Sequence, residues 1–105
     1  MDAILVYVTV PTHGEALAIA RTLVEARLAA SANVLPGGES LYWWQGKVEQ
    51  RGEVFLFLKT RQDLVGELVD AVKGIHSYVC PCVIALPIAG GNPDYLEWIK
   101  KETRQ

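Results

Sequence analysis

The chain has 105 residues, of which 50% are hydrophobic and 21% charged, and its formal net charge is -2. This size and composition predict one compact domain over residues 1–105 and exclude a disordered chain or two domains. The 10 basic residues are balanced by 12 acidic ones, so no electrostatic reason favours nucleic acid or an anionic membrane surface as a partner.

The first residues predict a buried strand rather than a targeting segment. Ala3–Val10 is apolar at nearly every position, which is typical of a strand covered on both faces. The run stops at Pro11 and follows an acid, so we expect neither a signal peptide nor a membrane span. Residues 12–30 then predict an amphipathic helix, with Arg27 as the one charge on its apolar arc. For Arg27 we weigh a snorkelling side chain against a ligand role.

A long hairpin is predicted in the middle of the chain. Residues 31–35 indicate a second strand, Pro36-Gly37-Gly38 a bulge or bend, and residues 40–44 its continuation. Gln45-Gly46 predicts a tight turn after which the chain returns antiparallel, and a further strand covers residues 53–60.

Two more helices and one strand complete the predicted elements. A second amphipathic helix starts from a cap near Asp63 and reaches Ile75. Val83–Ile88 is a short apolar strand. Asn92-Pro93-Asp94 then supplies an N-cap, a proline at the first helical position and an acid in the first turn of a short third helix.

This order predicts an α+β, ferredoxin-like split βαβ domain with an antiparallel sheet and an extra C-terminal helix. Right-handed crossovers place both long helices on one face of the sheet. Three of the strands are nevertheless apolar at odd and even positions alike, so both faces of the sheet require cover. The bare face would exceed the apolar area that monomers normally expose, and we therefore predict sheet-to-sheet oligomerisation.

Consecutive aromatic residues at Tyr42, Trp43 and Trp44 point in alternate directions along a strand, so at least one tryptophan faces away from the packed side. An intersubunit contact and the wall of a ligand cleft are the two interpretations, because tryptophan is enriched in both settings.

Cys80 and Cys82 are separated by one residue, too close for an unstrained disulfide, and we predict a reducing cytoplasm. Together with His76 they form a predicted soft-metal set suited to Cu(I) or Zn(II). The alternative is that the cysteines are small apolar strand residues and His76 a histidine at a helix end, where the dipole favours it. His13 is explained as a turn residue.

A thiol enzyme using Cys80 with His76 is a further alternative. The pair lacks Cys-x-x-Cys spacing, and nothing in the sequence identifies an oxyanion hole. We therefore expect no enzyme activity.

One family resemblance spans almost the whole chain, and it rests on an ordered set of short motifs rather than on any single one. The motifs are Leu28-Ala29-Ala30, Asn33, Leu35-Pro36-Gly37, Ser40-Leu41-Tyr42, Trp44-Gln45-Gly46-Lys47, Glu53, Lys59-Thr60, His76, Tyr78, Pro81, Ala85-Leu86-Pro87-Ile88 and Asp94-Tyr95-Leu96-Glu97-Trp98-Ile99. In this set the chain resembles the CutA divalent-cation-tolerance proteins.

The resemblance implies a compact homotrimer, similar in subunit architecture to PII signalling proteins, with a role in tolerance of divalent metals and of copper especially. It implies no enzyme reaction. It also implies a ligand cleft lined by Trp44, Glu53, Lys59, His76 and Tyr78. For Lys59 and Glu53, which lie six residues apart on one strand, the alternative is that they mark its two solvated ends.

The sequence departs from the family pattern at four positions. Members commonly carry Cys, Pro, Glu and Glu where this chain has Ser31, Ser77, Val79 and Cys82. A thiol and two carboxylates are thus replaced, while two thiols appear. The second functional hypothesis is a structural trimer scaffold that acts through an unidentified protein partner and affects metal tolerance indirectly.

Overall fold

A computed structural model of the chain describes residues 2–105. Its elements are β1 (Ala3–Val10), α1 (His13–Glu25), β2 (Ser31–Trp44), β3 (Lys47–Arg61), α2 (Val65–Ile75), β4 (Val83–Pro87) and α3 (Pro93–Glu102). The four strands form one antiparallel sheet in the order β2-β3-β1-β4. The predicted α+β split βαβ fold with an additional C-terminal helix is confirmed. None of the helices within residues 2–105 has the length and apolar character needed to cross a membrane.

The hydrophobic core lies between one face of the sheet and the helices α1 and α2. Even-numbered residues of β1 and β3 supply the sheet side of this core, and α1 and α2 supply the other. The largest fully buried members are Ile4, Val6, Val8, Val10, Ile19, Leu23, Leu56, Leu58, Leu68 and Val72. The helix α3 packs where β1 begins and β3 ends, and the Lys100 carbonyl accepts a hydrogen bond from Arg61 at 3.5 Å. It therefore leaves uncovered the middle of the sheet face that α1 and α2 do not contact.

That opposite face is apolar across all four strands, and we call it the open face. It consists of Leu5, Tyr7, Leu35, Phe55, Phe57, Ile84 and Leu86, which the strand register places side by side. The ring of Tyr7 contacts those of Phe55 and Phe57, with centroids 5.8 and 5.4 Å apart. Ile84 and Leu86 are 51% and 43% exposed. The prediction that the helices cover only one of two apolar faces is confirmed.

The helix α1 is shorter than predicted: it ends at Glu25 rather than near residue 30. Arg27 adopts a left-handed conformation with φ 59°, and the amides of Arg27 and Leu28 donate back to the last turn of the helix, both at 3.0 Å. Together with the left-handed residue, these two hydrogen bonds form a C-terminal capping motif that ends many helices. The Arg27 guanidinium does more than snorkel, because it pairs with the Glu102 carboxylate at 3.0 Å and joins α1 to the end of α3.

The hairpin of β2 and β3 is continuous through its predicted irregularity. The register shifts between Leu35 and Gly38, which confirms a bulge at that point. At the tip, Gln45 and Gly46 have φ of 50° and 83°, as a two-residue turn between twisted strands requires.

The start of α2 differs from the prediction. Asp63 lies in a short 3-10 turn, Gln62–Leu64, and its carboxylate accepts from Arg61 at 2.9 and 3.0 Å instead of capping the helix. Asn92 does cap α3, accepting from the Asp94 amide at 3.0 Å. The last strand ends at Pro87, one residue before the predicted limit.

Candidate functional site

A cavity of about 700 Å³ lies beside the open face, between the β2–β3 hairpin and the segment that links α2 to β4. We call it the hairpin cavity. Its lining combines aromatic, charged and thiol side chains: Tyr7, Thr9, Ser40, Leu41, Tyr42, Trp44, Glu49, Arg51, Glu53, Ser77, Tyr78, Val79, Cys80 and Cys82. This is the concave, mixed surface expected of a small-ligand site.

Strand alternation explains which hairpin residues reach the cavity. Glu49, Arg51 and Glu53 are two residues apart on β3 and share a face, opposite Tyr42, Ser40 and Gly38 of β2 in the register. Trp44 follows at the same spacing on β2 and belongs to that face. The alternation therefore gathers two carboxylates and one guanidinium along the β3 wall of the cavity.

Glu53 and Tyr78 form the central polar contact of the cavity. The Glu53 side chain belongs to a residue only 6% exposed, and the Tyr78 hydroxyl donates to its Oε2 at 2.7 Å. The guanidinium carbon of Arg51 lies 5.3 Å from the centre of the Tyr78 ring. Burial raises the pKa of Tyr78, the Arg51 hydrogen bond opposes that shift and Glu53 reinforces it, so the phenol stays protonated at neutral pH as a donor.

His76 holds Tyr78 in place from behind the cavity. Its side chain is 0% exposed; Nε2 donates to the Thr9 carbonyl at 2.8 Å, and Nδ1 accepts from the Tyr78 amide at 3.0 Å. These contacts require the neutral tautomer with its proton on Nε2. His76 is the C-cap residue of α2, so it lies at a helix end as one of the two interpretations expected, and its buried ring links β1 to the cavity wall.

Glu15 of α1 fixes the same segment from the other side. Its carboxylate accepts from the Ser77 amide at 2.9 Å and from the Ser77 hydroxyl at 2.8 Å. Because β1 and α1 both hydrogen-bond to residues 76–78, this part of the cavity wall is fixed from two sides.

Both cysteines line the hairpin cavity, Cys80 exposed and Cys82 half-buried. Burial raises the pKa of the Cys82 thiol, hydrogen bonding from Thr9 opposes the shift, and Glu53 adds to it. Among residues 2–105, no three His, Cys, Asp or Glu side chains are grouped so as to hold a metal ion. The predicted metal-binding set of His76, Cys80 and Cys82 is thus not assembled. In addition, both ring nitrogens of His76 are already hydrogen-bonded and are not free to bind a metal ion.

The predicted cleft residues separate into three groups. Trp44, Glu53 and Tyr78 line the cavity, and His76 supports it without facing it. Lys59 lies elsewhere: six residues along β3 correspond to about 20 Å, and its ammonium group donates to Asn33 of the neighbouring strand. Glu53 is not a solvated strand end, because it is buried in the middle of β3. Lys59 is half-buried, two residues before the end of that strand.

Sequence reasoning missed Arg51, Glu49, Tyr7 and Thr9 as cavity residues. The two-residue spacing from Glu53 was a usable signal for Arg51 and Glu49. No such signal existed for Tyr7 and Thr9, because their place beside Tyr78 depends on the packing of β1 against the segment after α2.

Comparison with known proteins places this chain in a family. A family model described as CutA1 divalent ion tolerance protein matches residues 4–102. The chain belongs to the CutA1 divalent ion tolerance family. The resemblance seen in the sequence is therefore confirmed over nearly its full span.

Individual CutA relatives support the assignment. The chloroplastic protein CutA 1 of Oryza sativa subsp. japonica is 48% identical over 105 residues, which are 100% of this chain and 59% of that protein. The divalent-cation tolerance protein CutA of Thermus thermophilus is 44% identical over 94% of this chain and 96% of its own. The crystal structure of CutA1 from Oryza sativa superposes with a TM-score of 0.96 at 48% identity, covering 100% of this chain and 96% of the other.

The plant relatives are longer than this chain. It spans 59% of the rice protein and 57% of the chloroplastic CutA of Arabidopsis thaliana. Membership of the CutA1 family therefore refers to the part of these proteins that the chain matches.

Proposed function

We propose that this protein is a divalent-cation tolerance protein of the CutA type, which binds a metal ion or small ligand and catalyses no reaction. The observation that carries the proposal is the family match over residues 4–102, since relatives with this fold bear the name divalent-cation tolerance protein. Copper is the proposed physiological metal, and the cytoplasm is the proposed location because both thiols are unpaired.

A homotrimer is the proposed assembly. The open face supports it, because seven apolar side chains lie on a surface that the chain's own helices leave bare, and such a patch is characteristic of an interface. The hairpin cavity borders this face through Tyr7, so the proposed ligand site lies at a subunit boundary, in the manner of PII-like trimers.

The proposed ligand contacts follow from the cavity geometry. Glu53 is a buried carboxylate suited to a cationic group, Trp44 offers an aromatic wall, and Tyr78 orients the carboxylate through its 2.7 Å hydrogen bond. We assign His76 a supporting role, and we assign Lys59 no contact with the ligand.

Growth under metal stress tests this proposal. A bacterial strain deleted for its own divalent-cation tolerance gene receives this chain or an empty plasmid and is grown across graded Cu(II) and Zn(II) concentrations. We expect this chain to raise the inhibitory Cu(II) concentration and Glu53→Gln to lose that gain. Arg21→Ala is the control, since Arg21 forms only an exposed pair with Glu25 at 3.6 Å. Unchanged inhibition by the wild-type chain would contradict the proposal.

The protein-partner scaffold is supported by a different observation. Trp43 and Val48 lie on the side of the hairpin tip opposite the cavity and are 75% and 55% exposed. A Trp43→Ser variant that stays oligomeric but no longer protects cells would favour the scaffold. Full protection by that variant would favour the ligand-binding trimer.

A further inference from the structure

The hairpin cavity contains a pair of thiols on one short segment, Cys80-Pro81-Cys82, which lies between α2 and β4 outside regular structure. Both side chains line the same cavity, and neither is in a disulfide. The spacing disfavours an intramolecular disulfide, so two reduced sulfur ligands remain available at one wall. This inference rests on the proposed tolerance function for its biological setting.

His76 is excluded as a third ligand by its own contacts. Nε2 is 2.8 Å from the Thr9 carbonyl and Nδ1 is 3.0 Å from the Tyr78 amide. Ligation through either nitrogen would break one of these bonds and leave a backbone carbonyl or amide of the packed interior unpaired, which is unfavourable. The ring would also have to leave a position where its side chain is 0% exposed.

The number and softness of the remaining donors select the class of ion. A structural Zn(II) site takes four nitrogen or sulfur ligands, and within residues 2–105 no group of three such donors or carboxylates is assembled. Thiolates favour soft ions, of which Cu(I) is the biological example, and a monovalent soft ion accepts two sulfurs in near-linear coordination. We propose that Cys80 and Cys82 bind one thiophilic monovalent ion of the Cu(I) type per chain through their two sulfurs, without His76.

The binding step conserves atoms and charge. Two S–H bonds break and two metal–sulfur bonds form, so one Cu(I) ion enters as two protons leave to solvent, and no electron is transferred. The resulting bis-thiolate carries one negative charge. Among the residues that line the cavity, Arg51 is the cationic side chain that attracts this charge, whereas Glu49 and Glu53 oppose it.

Anaerobic titration of the reduced, metal-free protein tests the proposal. Cu(I) is supplied as its complex with the chromophoric chelator bicinchoninate, and transfer is followed by loss of the chelator colour and by ultraviolet thiolate-to-copper absorption. We expect one Cu(I) per chain for the wild type, and none for Cys80→Ser with Cys82→Ser at concentrations that saturate the wild type. His13→Ala is the control: His13 is exposed at the first position of α1 and is not among the residues that line the hairpin cavity, so this variant should retain full stoichiometry.

X-ray absorption of the Cu(I)-loaded wild-type protein tests the ligand set without any substitution that threatens folding. We expect two sulfur scatterers and no imidazole. Imidazole scattering, or Zn(II) binding at the same stoichiometry through the same cysteines, would overturn the two-thiolate assignment. Absence of Cu(I) uptake would overturn the site itself yet leave the tolerance proposal standing, since that proposal is tested in cells with divalent salts.

Discussion

The imidazole of His76 acts on the hairpin cavity through the backbone rather than through a ligand. Its two nitrogens satisfy a carbonyl of β1 and the amide of Tyr78, and the Tyr78 hydroxyl in turn meets Glu53. Three hydrogen bonds thus connect the core of the sheet to the one buried carboxylate of the cavity.

Replacing His76 by alanine should lower the free energy of unfolding by about 2–5 kcal/mol, because a cavity forms and a buried carbonyl and a part-buried amide lose their partner. Urea unfolding at fixed protein concentration measures the change. His13→Ala is the control, since His13 is exposed at the first position of α1, and its effect should stay within about 0.5 kcal/mol. Equal effects of the two variants would contradict the assigned role of His76.

Two tyrosines of the cavity predict an alkaline loss of stability. Burial raises the pKa of Tyr7, with contributions from Cys82 and Glu53, and burial likewise raises that of Tyr78. A phenol with a raised pKa in the folded state stabilises the protein fully below its unfolded value, about 10, and that stability is lost as the pH rises through the folded pKa. Chemical unfolding of metal-free protein between about pH 8 and pH 11 should therefore show falling stability above about pH 10.

The double variant Tyr7→Phe with Tyr78→Phe removes both phenols and should flatten this alkaline decline. A profile as steep as that of the wild type would show that other groups cause the loss.

At the scale of the elements, the β2–β3 hairpin depends on the close approach of Gly38 to the paired strand. A Cβ added at Gly38 would lie 2.4 Å from the Phe55 ring and 2.8 Å from the Glu53 carbonyl oxygen. The ring can rotate, but the backbone oxygen belongs to the paired strand and cannot move without breaking the ladder. The bulge after Leu35 therefore requires glycine at this position.

Gly38→Ala should destabilise the protein by about 1–3 kcal/mol through this overlap, measured as a shift in the urea midpoint. Gly52→Ala on the partner strand is the matched control, because its added Cβ would meet only the Gly38 carbonyl oxygen, at 3.8 Å. If the control lost as much stability as Gly38→Ala, overlap at Gly38 would not be the cause.

The elements also show which features of the fold a sequence reveals. Period-two apolar runs and the Gln45-Gly46 turn predicted the strands because local chemistry alone determines them. The end of α1 was not predictable, since a left-handed residue is usually glycine or asparagine and here it is Arg27. Asp63 carries a capping signal, yet its carboxylate is taken by Arg61.

The family resemblance, rather than a local pattern, supplied Trp44, Glu53 and Tyr78 as cavity residues. The pleat of the hairpin then explains why Glu53 and Trp44 share a face. The positions of His76 and Tyr78 depend on Thr9, more than sixty residues away in the chain, and no local pattern encodes such a contact. Lys59 shares a face with Glu53 but lies too far along β3 to reach the cavity. Matching of sequence motifs does not show how far apart two residues lie in the fold.

For the whole molecule, the open face is the proposed interface between subunits. Ile84 is 51% exposed at its β4 edge, and a charge there would be buried without a partner if subunits meet on this face. We expect Ile84→Lys to dissociate the proposed trimer to monomers in sedimentation velocity at micromolar protein.

Leu17→Lys is the matched control for this experiment. Leu17 is 49% exposed but lies on α1, away from the open face, so its variant should sediment as the wild type does. A trimeric Ile84→Lys protein, or a monomeric wild type, would show that the open face is not the interface.

The hairpin tip extends past the helices, and it carries two adjacent tryptophans on opposite sides, Trp43 75% and Trp44 44% exposed. In a lone subunit water surrounds both indole rings, whereas a neighbouring copy that covers the tip would exclude it. The intrinsic emission of these two side chains should consequently move to shorter wavelength as the protein is concentrated. The molecule thus contains its own optical probe of self-association, and no attached dye is needed to follow it.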